Sequence, residues 1–291
     1  MNWAEEYKKS LKMREVEEVF DLIIYRPLAF LLVRAVYKTK ITPNNITFIA
    51  ILMGITAGCF YSLGQPVYFK IGALFYLAFN ILDCSDGQLA RLKKNGNHIG
   101  RLIDGIGDYI ATFAVYLGIA FGFVPNSVNP YYWFILLLLA GVSTIIHGML
   151  VDYYRTRFLN YVSGRKSNSE KDFEECRKEF ESLKNKKGKG FDRMVLRIYF
   201  KYTELQRLII SRKKKTKLFI TTSEEYYQKN RVIMRFWVIL GPTTQVTTLI
   251  ICSFLNRLDI FIWIIIALFN CLAATLWLSQ AIIDKTLKKE N

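Results

Sequence analysis

Between Asp83 and Asp108 the chain runs DCSDGQLARLKKNGNHIGRLIDGIGD, which sets four acids into otherwise apolar sequence. Asp83 and Asp86 are three residues apart and Asp104 and Asp108 four apart, so on helices each pair shares a face. Gly87 and Ala90 continue the first face with almost no side chain, which lets a flat ligand or another helix approach the backbone. Gly100, Gly105 and Gly107 leave space around the second pair. Four carboxylates converging from two helices repel one another unless cations lie between them, and an all-oxygen donor set suits magnesium or manganese. Two such ions can clamp a pyrophosphate, polarise its phosphorus and stabilise the departing oxygen of an in-line displacement. Arg91 adds a planar cationic fork for the same phosphates.

The order D-x2-D-G-x2-A-R-x8-G-x3-D-x3-D, carried by Asp83, Asp86, Gly87, Ala90, Arg91, Gly100, Asp104 and Asp108, resembles the motif of the CDP-alcohol phosphotransferase family without a departure. Acids that merely cap helices or face a solvated loop would not explain so many positions in register. The resemblance implies that Asp83, Asp86, Asp104 and Asp108 hold two divalent ions, Mg2+ or Mn2+, and that Asp108 is also the general base. It implies further that Gly87, Ala90, Arg91 and Gly100 form the binding surface for the CDP moiety, and that the protein is a homodimer.

The elements that position these residues are apolar blocks about 20 residues long, the length that crosses a bilayer. Six are expected, at Thr47–Leu63, Val67–Leu89, Leu102–Val124, Tyr131–Val151, Phe236–Leu255 and Ile260–Ile283. The fold class is an all-α integral membrane protein with six transmembrane helices, preceded by an amphipathic surface helix at Val19–Tyr37. Arg26 and Arg34 argue against a seventh span there. The run ITPNNIT at Ile41–Thr47 is a turn able to start the first span, and a similar T-P-N element precedes the first span in relatives of the family it resembles. Four parts follow: 1–43, the cytoplasmic N-terminus and surface helix; 44–152, spans one to four with the motif; 153–234, a basic cytoplasmic insertion; and 235–291, the last two spans and the C-terminus. Gly54, Gly58 and Gly118 suit close helix packing, whereas Gly241, Pro242, Thr243 and Thr244 form a breaker group expected to kink or open the fifth span.

Charge sets the orientation. Between Tyr153 and Arg231 basic residues outnumber acidic ones roughly two to one, whereas Tyr61–Pro66 and Pro125–Pro130 carry no charge, so both ends and the acids belong to the cytoplasmic side. Met1–Arg14 is charged and lacks the apolar core of a cleavable signal. Within the insertion, Ser167–Lys189 suits a solvated helix followed by a linker, and Phe191–Ile210 with the Arg212–Lys217 cluster suits anionic lipid headgroups. A net charge of +16 also raises a nucleic-acid partner, but six spans and cytoplasmic basic loops account for it through the membrane, and no nucleic acid is expected. Cys59, Cys84, Cys176, Cys252 and Cys271 show neither metal-ligand spacing nor a disulfide framework, and Cys84 falls on the helix side away from Asp83 and Asp86. His98 lies in the loop before Gly100, and His147 inside the fourth span suits either the cavity or helix packing.

The function expected is phospholipid synthesis in the cytoplasmic membrane of a prokaryote: metal-dependent transfer of phosphatidyl from CDP-diacylglycerol to an alcohol, with release of CMP. Arg155, Arg157, Arg231 and Arg235, at the cytoplasmic ends of the fourth and fifth spans, suit an acceptor that carries phosphate, such as inositol phosphate, or serve as positive-inside anchors. The N-terminal YRPLAFLLVRAVYKTKITPNNIT also resembles that of prokaryotic phosphatidylinositol-phosphate synthase types. Two alternatives stand beside this: a CDP-alcohol (choline, ethanolamine or inositol type) donor with a lipid or polyol-phosphate acceptor, and an ion-coupled transporter that uses the acids as a path.

Overall fold

The computed structural model describes residues 3–93 except 12, 98–162 and 222–289, together with 181, 197 and 200. The expected solvated helix and headgroup-facing stretch of the 153–234 segment lie outside the described residues. Helix α1 is Trp3–Ser10, and a π turn at Asp21–Tyr25 leads into α2, Arg26–Val36. Then follow α3 (Pro43–Ser62), α4 (Pro66–Lys93), α5 (His98–Gly122) and α6 (Pro130–Val162). After the insertion come α7 (Ser223–Trp237), α8 (Pro242–Phe254) and α9 (Leu258–Trp263), which runs through a π turn at Ile264–Phe269 into α10 (Asn270–Lys289). The described residues are helical throughout, without strands.

Local chemistry sets the helix starts. Thr42 caps α3 by accepting from the Asn45 amide at 3.4 Å, and Pro43 takes the first helical position, where its missing N–H costs nothing. Thr222 caps α7 in the same way at the Glu225 amide, 3.2 Å away. Between α3 and α4 the chain reverses at Gly64, whose φ of +72° is open to glycine at no steric cost.

Among the described residues five helices are long and apolar enough to cross a bilayer, and a sixth span results if α7 and α8 are counted as one bent unit. Phe48, Phe113, Phe121, Leu138, Leu139 and Leu278 lie exposed on these helices, as side chains facing lipid do. The fifth span starts earlier than the Phe236–Leu255 segment expected from hydropathy. It turns by 42° at the break before Pro242 and continues as α8. At 13 residues α8 reaches only about 20 Å, short of the ~30 Å hydrocarbon layer, so α7 must supply the rest. The expected breaker is therefore a real bend, with Gly241 extended between the two halves. The fourth helix likewise runs beyond Val151 to Val162, and α7 packs on that extension: Tyr154 stacks on the fully buried Trp237 at 4.2 Å and Tyr161 on Tyr226 at 4.3 Å.

Helices α3 and α5 meet through small residues. A Cβ on Gly58 would fall 2.4 Å from the Ala114 carbonyl oxygen, and one on Gly118 would fall 2.2 Å from the Gly58 carbonyl oxygen. These are backbone contacts that cannot rotate away, so the helix pair that carries half of the acids is locked at closest approach. Gly118→Ala is expected to cost about 1–3 kcal/mol and to lower the thermal midpoint in detergent. Gly148→Ala, where the new methyl meets nothing within 4 Å, is expected to leave the midpoint unchanged or raise it.

Candidate active site

The C-terminal half of α4 carries Asp83, Asp86, Gly87, Ala90 and Arg91, and the first turns of α5 carry Gly100, Asp104 and Asp108. The two helices bring carboxylate oxygens of Asp83, Asp86 and Asp104 within 4.8 Å of one another. Asp108, one turn beyond Asp104 on α5, lies close enough to Asp83 to interact with it. Oxygens this close fit around one divalent cation with ligands at about 2.0–2.6 Å, and the all-oxygen set selects a hard ion. Asp86 is buried, while Asp83, Asp104 and Asp108 are partly exposed, so the cluster is open on one side.

Asp86 is fixed from α3, because its Oδ2 accepts a hydrogen bond from the buried Thr47 hydroxyl. Hydropathy assigns Thr47 only to the start of a span. The T-P-N cap is the signal that could have found it, since it places Thr47 one turn inside α3 with its hydroxyl also 3.2 Å from the Pro43 carbonyl.

The Arg91 guanidinium lies over Gly87, where a Cβ would sit 3.3 Å from Nη1, so the glycine leaves the space that the arginine fork covers. Arg91 Nε donates to the Ser10 carbonyl at 2.5 Å, while its buried Nη2 has no hydrogen-bond partner among the described residues. A cationic N–H aimed at no protein acceptor, next to a carboxylate cluster, is a fitting contact for a phosphate oxygen. Ala90 sits beside it on α4, partly exposed; the side-chain surroundings of Gly100 lie outside the described residues.

The N-terminal segment also takes part, which the amphipathic pattern did not signal. Arg26 points inward, 6 % exposed, and pairs with Glu17 at 2.7 Å. Gln88 of α4 donates to the Arg26 carbonyl at 3.1 Å. Cys84 faces α2, with its sulfur 3.5 Å from Asp21, in keeping with its predicted side of the helix. The described cysteines, Cys59, Cys84, Cys252 and Cys271, are all free.

Three of the four arginines expected to suit a phosphate, Arg155, Arg157 and Arg235, have protein partners. Arg157 makes a bidentate pair with Asp284 of α10, both contacts 2.8 Å, and Arg235 donates to the carbonyls of Arg14 and Glu17 at 2.6 and 3.2 Å. Arg155 lies 3.8 Å from Glu18. His147 resolves toward packing: fully buried, it bonds Asn270 at 2.9 Å, and Asn270 in turn donates to Ser143.

A cavity of about 40 Å3, room for a few waters, lies among α4, α5, α6, α8 and α9. Thr112 lines it one turn beyond Asp108, its hydroxyl 3.3 Å from that of Tyr76, and Gln245 enters from α8.

Oxygen donors gathered where two helices meet, beside an arginine with one buried N–H left without a partner among the described residues, have the chemistry to bind an anionic phosphate group together with a cation. Residues 40–164 match the model of the CDP-alcohol phosphatidyltransferase family, whose members are transferases. Inner membrane protein YnbA of Escherichia coli K12 is 28% identical over 143 residues, 49% of this chain and 67% of that protein. The bifunctional IPC transferase and DIPP synthase of Thermococcus kodakarensis is 26% identical over 163 residues, 55% of this chain and 32% of that protein. Phosphatidylinositol phosphate synthase of Corynebacterium glutamicum is 25% identical over 135 residues, 46% of this chain and 57% of that protein. The match thus spans less than two thirds of the last two.

Thr47→Val keeps the shape of the side chain and removes the donor to Asp86. Weakening of divalent-ion binding by about 10-fold is expected, with the fold intact, in a Mn2+ titration of the purified protein.

Proposed function

We propose that the protein transfers a phosphatidyl group from CDP-diacylglycerol to a hydroxyl of a phosphate-bearing polyol, with inositol phosphate as the favoured acceptor, and releases CMP. The observation that carries this reading is the convergence of Asp83, Asp86 and Asp104 within 4.8 Å, with Asp108 one turn further along α5 near Asp83 and Arg91 lying over Gly87. The similarity to the Corynebacterium glutamicum phosphatidylinositol phosphate synthase supports the choice of acceptor.

In this reading Asp83, Asp86, Asp104 and Asp108 hold magnesium or manganese, in one or two ions. The bound metal supplies charge neutralisation at the pyrophosphate and at the departing oxygen. Gly87 and Ala90 give the nucleotide a flat approach to α4, while the Nη edge of Arg91 holds the pyrophosphate. Gly100 borders the same surface from α5. Asp108 takes the proton of the acceptor hydroxyl as that oxygen bonds to the phosphorus adjoining diacylglycerol. The bond from this phosphorus to the CMP oxygen breaks, and its electron pair leaves with CMP. Positioning and charge compensation do most of the work in such transfers.

The basic residues of the 153–234 segment support placing this site at the cytoplasmic face of a prokaryotic membrane, and the protein is proposed to act as a homodimer. The large unpaired-acid path that a transporter needs finds less support, because it gives no role to Gly87 and Arg91 at their observed places.

The test is CMP release from CDP-diacylglycerol and magnesium by the purified protein, with inositol 1-phosphate, glycerol 3-phosphate, serine and inositol supplied in turn. Release with inositol 1-phosphate, reduced by about 100-fold or more in Asp108→Asn without loss of fold, is the expected outcome. Release only when a CDP-alcohol and diacylglycerol replace the panel would move the lipid to the acceptor side. An Asp108→Asn variant with wild-type turnover would remove the general base assigned here.

A further inference from the structure

The bend in the fifth span creates a physical problem that the N-terminal segment solves. A helix that starts inside a membrane protein exposes amides without intrahelical partners, and no water is at hand to satisfy them. At the start of α8 those amides belong to Thr243 and Thr244. Glu18, 2 % exposed, reaches them from the turn between α1 and α2. Its Oε2 accepts from the Thr244 amide at 2.8 Å and from the Thr244 hydroxyl at 2.9 Å, and Oε1 accepts from the Thr243 amide at 3.4 Å. The positive end of the α8 dipole favours this carboxylate further. Gly241 makes the contact possible, because a Cβ there would fall 2.1 Å from Oε1.

The same carboxylate faces Arg155 of α6 at 3.8 Å, and Arg155 Nε has no hydrogen-bond partner among the described residues. Neighbouring contacts bind the strap from both sides: Glu17 pairs with Arg26 of α2, and Arg235 of α7 holds the carbonyls of Arg14 and Glu17. One turn along α8, Thr247 bonds the Tyr25 hydroxyl at 2.9 Å. The opposite face of α8, through Gln245, Val246 and Leu249, lines the cavity that Thr112 enters one turn beyond Asp108. Whatever holds the start of α8 therefore sets the wall across from the helix that carries Asp108.

We propose that Glu18 is a positioning residue for the transfer reaction: by tying the start of α8 to Arg155 it fixes the side of the cavity from which the phosphate-bearing acceptor approaches Asp108. This rests on the acceptor reading given above. Glu18 touches neither the carboxylate cluster nor the nucleotide surface, so its influence falls on the acceptor rather than on the CDP-linked donor.

The groups facing Glu18 are Arg155 from α6, the threonines of α8 and Asp21 at the start of α2. Burial, with the nearby Asp21 charge, pushes the Glu18 carboxyl up to about 7, against the pull of Arg155 and of the Thr244 hydrogen bonds. The sign follows directly. The charged form, and with it the hold on Arg155, is gained as pH rises through about 7 and lost as pH falls below it.

The experiment compares wild type, Glu18→Gln and Glu18→Ala as full-length protein in lipid, with CMP release measured across neutral pH and exchange of the Thr243–Thr244 amides followed by mass spectrometry. Glu18→Gln keeps an oxygen for the amides but no charge for Arg155. It is expected to raise the KM for inositol 1-phosphate about tenfold, to leave the KM for CDP-diacylglycerol unchanged, and to abolish the step near pH 7 in the acceptor kcat/KM. Glu18→Ala is expected to show the same kinetic change and, in addition, faster exchange at Thr243 and Thr244. Unchanged acceptor KM and pH profile in Glu18→Gln would overturn the proposal and leave Glu18 a stabilising cap. A lowered acceptor KM would overturn it too, since Glu18 would then be competing with the acceptor for Arg155. If the wild type releases CMP with no phosphorylated acceptor, the acceptor reading fails and the proposal with it; intact exchange differences would mark that case as a failure of the reaction assignment and not of the Glu18 contact.

Discussion

Like charges crowded into a poorly solvated place are the constraint around which this protein is built. Two carboxylates within 4.8 Å repel by about 3–4 kcal/mol at an effective dielectric of about 20, and three of them share that distance here. Such a cluster persists only when donors and cations are brought to it. The Thr47 hydroxyl comes from α3, and the site offers room for hard cations between the oxygens. The acids thus dictate both which helices must meet and which groups those helices carry at the meeting point.

Glycine and alanine make the meeting possible. Gly58 and Gly118 let α3 and α5 touch backbone to backbone, and α3, which also packs along α4, thereby brings the acids of α5 toward those of α4. Gly87 performs a different task, because its missing side chain leaves space that the Arg91 fork covers. The same residue type therefore serves packing in the apolar half of the bundle and ligand access at its polar end. Only the surroundings distinguish the two.

A second layer of order comes from a segment that does not cross the membrane. The stretch from α1 to α2 places Ser10 on Arg91, Glu17 on Arg26 and Glu18 at the start of α8. Each contact satisfies a group that its own helix leaves without a partner: an arginine N–H, a buried guanidinium, a row of free amides. The N-terminal segment and the spans therefore form one polar network on the side of the bundle where the carboxylates lie.

Much of this was legible in the chain itself. The apolar blocks, the spacing of Asp83, Asp86, Asp104 and Asp108, and the breaker at Gly241–Pro242 are local features, written in periods of three and four residues or in runs of a bilayer's length. The helical membrane fold and the resemblance of the motif to a known family rest on them, because local spacing on a helix already fixes which side chains share a face. The role of Glu18 was not legible, nor were Thr47 as a partner of Asp86, the inward turn of Arg26 or the pairing of Arg157 with Asp284. These are contacts between residues 39 to 226 positions apart, or across a turn whose direction no periodicity encodes. A lone Glu or Arg outside a span has the same sequence signature whether it faces water or a helix end. The tertiary structure decides between them, because only the packed bundle determines which amides and carboxylates are cut off from solvent and must find their partners within the chain.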